Sequence, residues 1–155
     1  MSRSAVQAYI AQRVGSIQVP PDKAVRAVLG RSQPDVPSTD VPICTIEVAQ
    51  PKSEQLTFDD VATHAGTRHD IYAVRMRLFL GVPTTDPDVI EARQINYAAA
   101  FLRTFMPDYT LGGNCWRSYW REPSDNLRDA AYSNAGQNPW VEYTLEVTEQ
   151  TTMGS

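Results

Sequence analysis

Two histidines, His64 and His69, stand five residues apart in a polar stretch that also holds Asp59, Asp60 and Asp70. Imidazole and carboxylate are zinc ligands, so this group is the first place to look for a metal. No HxH or HExxH spacing occurs, and neither Cys44 nor Cys115 belongs to a CxxC pair. The usual zinc patterns are missing, and the histidines read as solvated loop residues. Serine, histidine and aspartate are all present, but no Gly-x-Ser-x-Gly frames a serine, and eight scattered glycines form no phosphate loop. Asp59-Asp60 would need a desolvated cleft to work as an acid–base pair. Its hydrophilic neighbours give no cause for raised pKa values, so it reads as an acidic loop face. With no flanking base, both cysteines read as structural thiols, Cys44 pointing into a core and Cys115 beside a turn. No catalytic, metal or cofactor set emerges.

A second group is aromatic and basic. Trp116, Tyr119 and Trp120 cluster with Arg117 and Arg121, the composition of a platform that stacks single-stranded bases. The chain's formal charge of -4 and pI near 5.1 oppose phosphate neutralisation. The more economical reading is that these aromatics cover a helix and that their exposed members serve a protein interface, where Trp, Tyr and Arg concentrate. Arg75 and Arg77 lie on the non-core face of a strand. They either pair with carboxylates of another subunit or stand solvated on an exposed sheet face.

The elements that must position these groups are legible in the hydropathy pattern. Ser4 and Gln7 have capping-box spacing, and Val6, Tyr9, Ile10 and Val14 then recur at helical spacing until Gly15, which predicts a helix over 4–14. Val19-Pro20-Pro21 breaks the chain, 24–29 fits a strand or one helical turn and is read as a strand, and the Pro-, Ser- and Asp-rich 31–42 as a surface loop. Ile43 to Val48 is β-branched and alternating, a strand with Cys44, Ile46 and Val48 on one face. The polar 50–70 stretch predicts an extended loop or a protruding hairpin. Ile71 to Leu80 is the clearest strand, with Tyr72, Val74, Met76, Leu78 and Leu80 on the core face. Asp86-Pro87 has the form of an N-cap followed by proline at the first helical position. Ile90, Tyr97, Ala98, Phe101, Leu102, Phe105 and Met106 then form a wide apolar stripe closed by Pro107. A strand follows at 115–121, then a long connection over 122–139 with a turn of helix at 127–132. A final strand over 140–148 turns Val141, Tyr143, Leu145 and Val147 inward, and residues 151–155 form a polar tail.

A chain of 155 residues has room for one domain and a core that needs no staples. No run approaches the ~18 uninterrupted apolar residues of a membrane span. Met1-Ser2-Arg3-Ser4 lacks the apolar core of a secretion signal, and two cysteines make no disulfide framework, so a reducing cytosolic origin is expected. The fold class that follows is α+β: a single domain over 1–150, with a mixed, largely antiparallel sheet of four to five strands. An N-terminal helix and one long helix pack on that sheet.

This order of parts resembles the tail terminator proteins of long-tailed bacteriophages, the family of the lambda U protein. The resemblance rests on the 4–14 helix, the strand entered by Val41-Pro42-Ile43-Cys44-Thr45-Ile46-Glu47, the 71–80 strand, the Asp86-Pro87 helix with Tyr97 and Phe101, and the 140–147 strand. It implies a non-catalytic virion protein of the tail neck, made in the host bacterial cytoplasm. Six copies would form a ring that caps the tail-tube protein, stops tube growth and meets a head-closure or connector protein. DNA would pass through the lumen without specific binding. The candidate interface comprises Glu54, Phe58, Asp59, Asp60, His69, Arg75, Arg77, Trp116, Arg117, Trp120 and Arg121. Another neck component is the nearest alternative. One of a different class is a small enzyme or ligand-binding domain with His64, His69 and Asp70 at the mouth of a pocket between long helix and sheet; His69→Ala would damage it and spare a terminator.

Overall fold

The first helix, α1 (Arg3–Gly15), buries Val6, Ile10 and Val14, a four-residue repeat that keeps one stripe facing inward. The helix begins at Arg3, one residue before the expected start, and the Gln7 side chain donates to the Ile46 carbonyl at 2.9 Å, tying the helix to the sheet beneath it. The computed structural model describes residues 3–30, 42–49, 52–60, 65–127 and 138–153. The surface loop expected at 31–42 lies outside the described residues except for Pro42, as does all but Leu127 of the helical turn expected at 127–132.

The sheet is built from β1 (Arg26–Leu29), β2 (Ile43–Val48), β3 (Lys52–Asp60), β4 (Ala65–Phe79), β5 (Arg117–Trp120), β6 (Ser124–Asp125) and β7 (Trp140–Met153). Its main order is β1-β2-β4-β7-β5, with β3 also paired to β4 and β6 to β7. Among the described strands only the β1–β2 pair is parallel. The architecture is therefore α+β with a mixed, largely antiparallel sheet, as expected. β2 and β3 follow one another along the same side of β4. The register slips by one residue between Val48↔Val74 and Lys52↔Ile71, and again near Leu56 and Asp59. Together they form one arm of a long hairpin whose other arm is β4. The described part of the 50–70 excursion, β3 and the start of β4, is thus the outer half of that hairpin, and the strand expected at 71–80 begins at Ala65. β7 pairs with β4 without a break from Phe79↔Trp140 to Gly66↔Met153, so residues 151–153 of the expected polar tail belong to a strand.

Alternation sorts the strand residues as expected. Cys44 and Ile46 from β2, Tyr72, Val74, Met76 and Leu78 from β4, and Val141, Tyr143, Leu145 and Val147 from β7 share one buried cluster with both helices. The opposite sheet face carries a much smaller buried pair, Ile43 and Phe79, packed with Val28 and Trp140.

The second helix, α2 (Pro87–Phe105), starts as the sequence predicts: the Asp86 carboxylate accepts from the Asp88 N–H at 2.9 Å, and Pro87 occupies the first turn. Its buried stripe is narrower than expected. Tyr97, Phe101 and Phe105 are buried, whereas Leu102 is 37% and Met106 63% exposed. Each of these follows a buried phenylalanine by one residue, a rotation of about 100° that carries it off the packed face. Gly81 lets α2 sit close, because a Cβ there would come within 2.6 Å of Ile90 Cδ1.

Inside the core, the hydroxyl of Tyr143 is buried with no hydrogen-bond partner among the described residues. A buried donor without a partner carries an uncompensated desolvation cost. Tyr143→Phe is therefore expected to leave stability unchanged or raise it by up to about 1 kcal/mol in chemical denaturation; a loss above that would mean the hydroxyl is satisfied.

Candidate functional site

The sheet face turned away from the helices is a ladder of charges. Arg75 on β4 meets Glu47 on β2 at 3.7 Å, and Arg77 meets Glu142 on β7 at 3.0 Å. Arg121, just past β5, pairs with Glu146. The Arg77 guanidinium also lies 4.0 Å over the Trp140 ring, an arrangement that favours arginine's planar, weakly hydrated head group. Of the two roles left open for Arg75 and Arg77, neither describes them fully: they are not bare solvated cations, and their carboxylate partners come from neighbouring strands of the same chain. Paired surface charges of this kind contribute little stability, about 0–1 kcal/mol each.

His69 is buried, at 7% exposure, and not a solvated loop residue. It stands on β4 opposite Gln150, whose Oε1 is 3.0 Å from Nε2, and its ring lies against Trp116 with centroids 4.4 Å apart. Successive strand residues point to opposite faces, so His69 and Asp70 diverge. Asp70 pairs with Arg68, two residues back. The two therefore do not converge on a pocket mouth, and His64 lies outside the described residues. Among the described residues no three His, Cys, Asp or Glu side chains are placed to hold a metal.

Glu54, Phe58, Asp59 and Asp60 fall on β3. Glu54 stands in register with His69, Phe58 with Gly66 and Asp60 with Ala65, while Asp59 sits at a register slip. Beyond Ile71 and Thr148, the last row that β5 joins, β3, β4 and β7 continue as a three-stranded arm. Six residues of β4 lie in it, roughly 20 Å of strand.

On the far side of β7, β5 and the end of α2 bound a groove of about 630 Å³. Phe105, Trp120 and Leu145 form its inner wall, and Met106, Tyr109 and Trp116 its outer lip. Trp120 stacks on Tyr143 at 5.4 Å, and Tyr143 on Phe101 at 4.6 Å, so this tryptophan reaches the helix through the core as expected. Trp116 and Tyr119 are each 42% exposed. Arg117 lies 4.5 Å over the Tyr119 ring. The Tyr109 carbonyl accepts from both Ser118 N–H (2.7 Å) and Ser118 Oγ (3.0 Å), which occupies the outer edge of β5 at that point. Sequence reasoning missed Met106 and Tyr109. For Tyr109 the available signal was Pro107, which ends the helix just before it.

Gly112 holds the loop behind this groove against α1. It has φ +66°, and a Cβ would meet the Tyr9 ring at 2.6 Å. The Tyr9 hydroxyl donates to the Asp108 carboxylate, and that hydrogen bond, followed by burial, raises the Tyr9 pKa.

Cys44 is a buried thiol, as expected, and Cys115, expected only beside a turn, is buried as well. Burial drives Cys44 far above the ordinary thiol range. Burial first, then the Glu149 and Asp108 carboxylates, push Cys115 from 9.0 up to about 12. Neither is a thiolate nucleophile at neutral pH. A thiol whose pKa is raised by folding contributes stability that is complete below its unfolded value and lost as pH climbs through the folded one. Stability is thus expected to fall between pH 9 and pH 12, and less steeply in Cys115→Ala; denaturation midpoints against pH check this, an unchanged slope counting against it.

A second depression, about 560 Å³, is lined by Arg3, Ser4, Gln7, Val48 and Glu149. Beside it the Tyr72 hydroxyl donates to Glu149 at 2.9 Å. Burial and that carboxylate keep the phenol protonated, so it does not serve as a base.

No family model matches the chain, and no curated protein matches it.

Proposed function

We propose that this chain is a structural assembly subunit, a tail terminator of a long-tailed bacteriophage. In this reading six copies form a ring that caps the tail tube, stops its polymerisation and joins tail to head. The supporting observation is the placement of two unlike surfaces on opposite edges of one sheet. In a single row across four strands, Lys52, Ile71, Thr148 and Arg117 stand side by side. β3 forms one edge of this row, and β5 with its aromatic groove forms the other. Unlike patches on opposite sides of a subunit associate head to tail, and such a contact closes into a ring when the rotation permits. A chain charge of -4, multiplied around the ring, suits a lumen through which duplex DNA slides without sticking.

The internally paired arginines of the sheet face move the expected subunit contact away from Arg75 and Arg77 toward the arm and the groove. His69 also loses its value as a test between assembly and catalysis, because His69→Ala opens a hole beneath Trp116 whatever the function.

Native mass measurement with and without a tail-tube protein tests the proposal. A species near six times 17.3 kDa is expected, at least when tube is present. A stable monomer indifferent to tube would overturn it, and a ring that binds only a head-side connector would indicate another neck position.

A further inference from the structure

The proposed ring leaves open which parts of neighbouring copies touch. Three observations narrow this. The outer edge of β3 has no strand beside it among the described residues, and its register slips near Leu56 and Asp59 twist it away from simple strand pairing. The outer edge of β5 is not free for strand addition either, because the Tyr109 carbonyl already holds Ser118. What β5 offers instead is the side-chain groove, with exposed Met106, Tyr109, Trp116 and Tyr119 along it.

The charges of the two edges are opposite. The β3 segment holds Glu54, Asp59 and Asp60 against the single cation Lys52. At the groove, the one charged side chain among the described lining residues is Arg117, which is exposed and rests on the Tyr119 ring. An apolar floor with a cationic lip favours an acidic, partly apolar strand, and Leu56 and Phe58 supply the apolar component in sequence.

We propose that the groove beside β5 receives the β3 edge of a neighbouring copy, so that the ring contact is arm into groove. This rests on the ring reading above. The contact is directional, since each copy gives an arm on one side and a groove on the other. It is also relayed within each subunit: Trp116 on the groove lip lies against His69 at the base of the same chain's arm. A copy seated in the groove thereby braces the arm that seats in the next.

Charge sign at exposed positions tests this in the full-length chain. Met106→Glu and Arg117→Glu place an anion facing an acidic strand. Each is expected to raise the protein concentration needed for ring assembly by at least ~10-fold, whereas Met106→Lys stays within about 3-fold of the unchanged chain. Asp59→Lys with Asp60→Lys should weaken assembly by itself and restore it when combined in the same chain with Arg117→Glu. Both Met106 variants are compared at matched thermal stability, which separates a folding defect from a contact defect.

Equal assembly of the Glu and Lys variants, or no rescue by the combined reversal, overturns the arm-in-groove contact while leaving a ring intact. Loss of tube binding by Met106→Glu with ring assembly unaffected assigns the groove to the tube protein and likewise overturns it. If the unchanged chain forms no ring even with tube, the ring reading itself fails and this contact with it.

Discussion

Replacing Phe101 by alanine is expected to cost about 3–5 kcal/mol of folding free energy. The ring is fully buried and stands 4.6 Å from Tyr143 and 6.2 Å from Phe105. Tyr143 in turn carries Trp120. Truncation therefore removes the transfer free energy of a phenyl ring and the stacking at its face, and leaves a cavity bounded by rigid aromatic walls that relax poorly. Total stabilities of domains this size are about 5–15 kcal/mol, so the alanine variant is paired with Phe101→Leu, for which a loss of about 1–2 kcal/mol is expected. Leu102→Ala is the control. It lies next in sequence but is 37% exposed, and a change within about 0.5 kcal/mol is expected. Guanidinium titrations with equal m-values would establish the comparison. Near-equal losses at 101 and 102 would contradict the narrow stripe on α2.

Asp22→Ala is expected to cost about 3 kcal/mol, for an electrostatic reason. The carboxylate accepts two hydrogen bonds from Arg93, Nε and Nη2 each at 3.2 Å, and one from the Tyr97 hydroxyl at 3.0 Å. Arg93 Nη1 donates further to the Leu80 carbonyl. Four parts of the fold meet here: the turn after Val19-Pro20-Pro21, the end of β4, and two successive turns of α2. Removing the carboxylate leaves a guanidinium with one partner fewer in a half-buried site, and breaking such a pair costs more than the pair contributes. Burial, then Asp22 itself, hold the Tyr97 phenol far above its ordinary pKa, so it stays a donor throughout the neutral range. Asp22→Asn preserves shape and loses charge, and about half the alanine effect is expected. A double-mutant cycle with Arg93→Met should return a coupling of about 1–3 kcal/mol. Additivity would show that the two side chains act independently.

These two sites mark the limit of what could be read from the chain. The Phe101 stripe was visible because a helix repeats its inward face every three to four residues, and Tyr97, Phe101 and Phe105 keep that interval. Its width was overestimated, since Leu102 and Met106 are apolar whichever way they point. The Asp22 cluster was invisible, because the residues it joins lie 71 apart and no local rule relates them. The same distinction separates the candidate interface residues. The strand aromatics read as a cover for the helix include Trp120, which stacks on Tyr143, whereas Trp116 and Tyr119 stay exposed. His69 was misread because its neighbours in sequence are polar, while its neighbours in space are Trp116 and Gln150.

Composition and periodicity by themselves determined the class of fold, the helix starting at Asp86-Pro87, the inward faces of β2, β4 and β7, and the inertness of the two thiols. Each is a local property, set by residue type and by spacings of two or 3.6 residues. Only the tertiary structure decided that β2 and β3 run as one hairpin arm along β4, that Arg75 and Arg77 find carboxylates on their own sheet, and that an aromatic groove opens on the edge opposite β3. Those outcomes depend on strand register and order, and register is set by packing the whole sheet at once. The histidines and aspartates that first suggested chemistry do not converge where they are described: His69 and Asp70, adjacent in the chain, point to opposite sides of the sheet because a strand alternates its side chains.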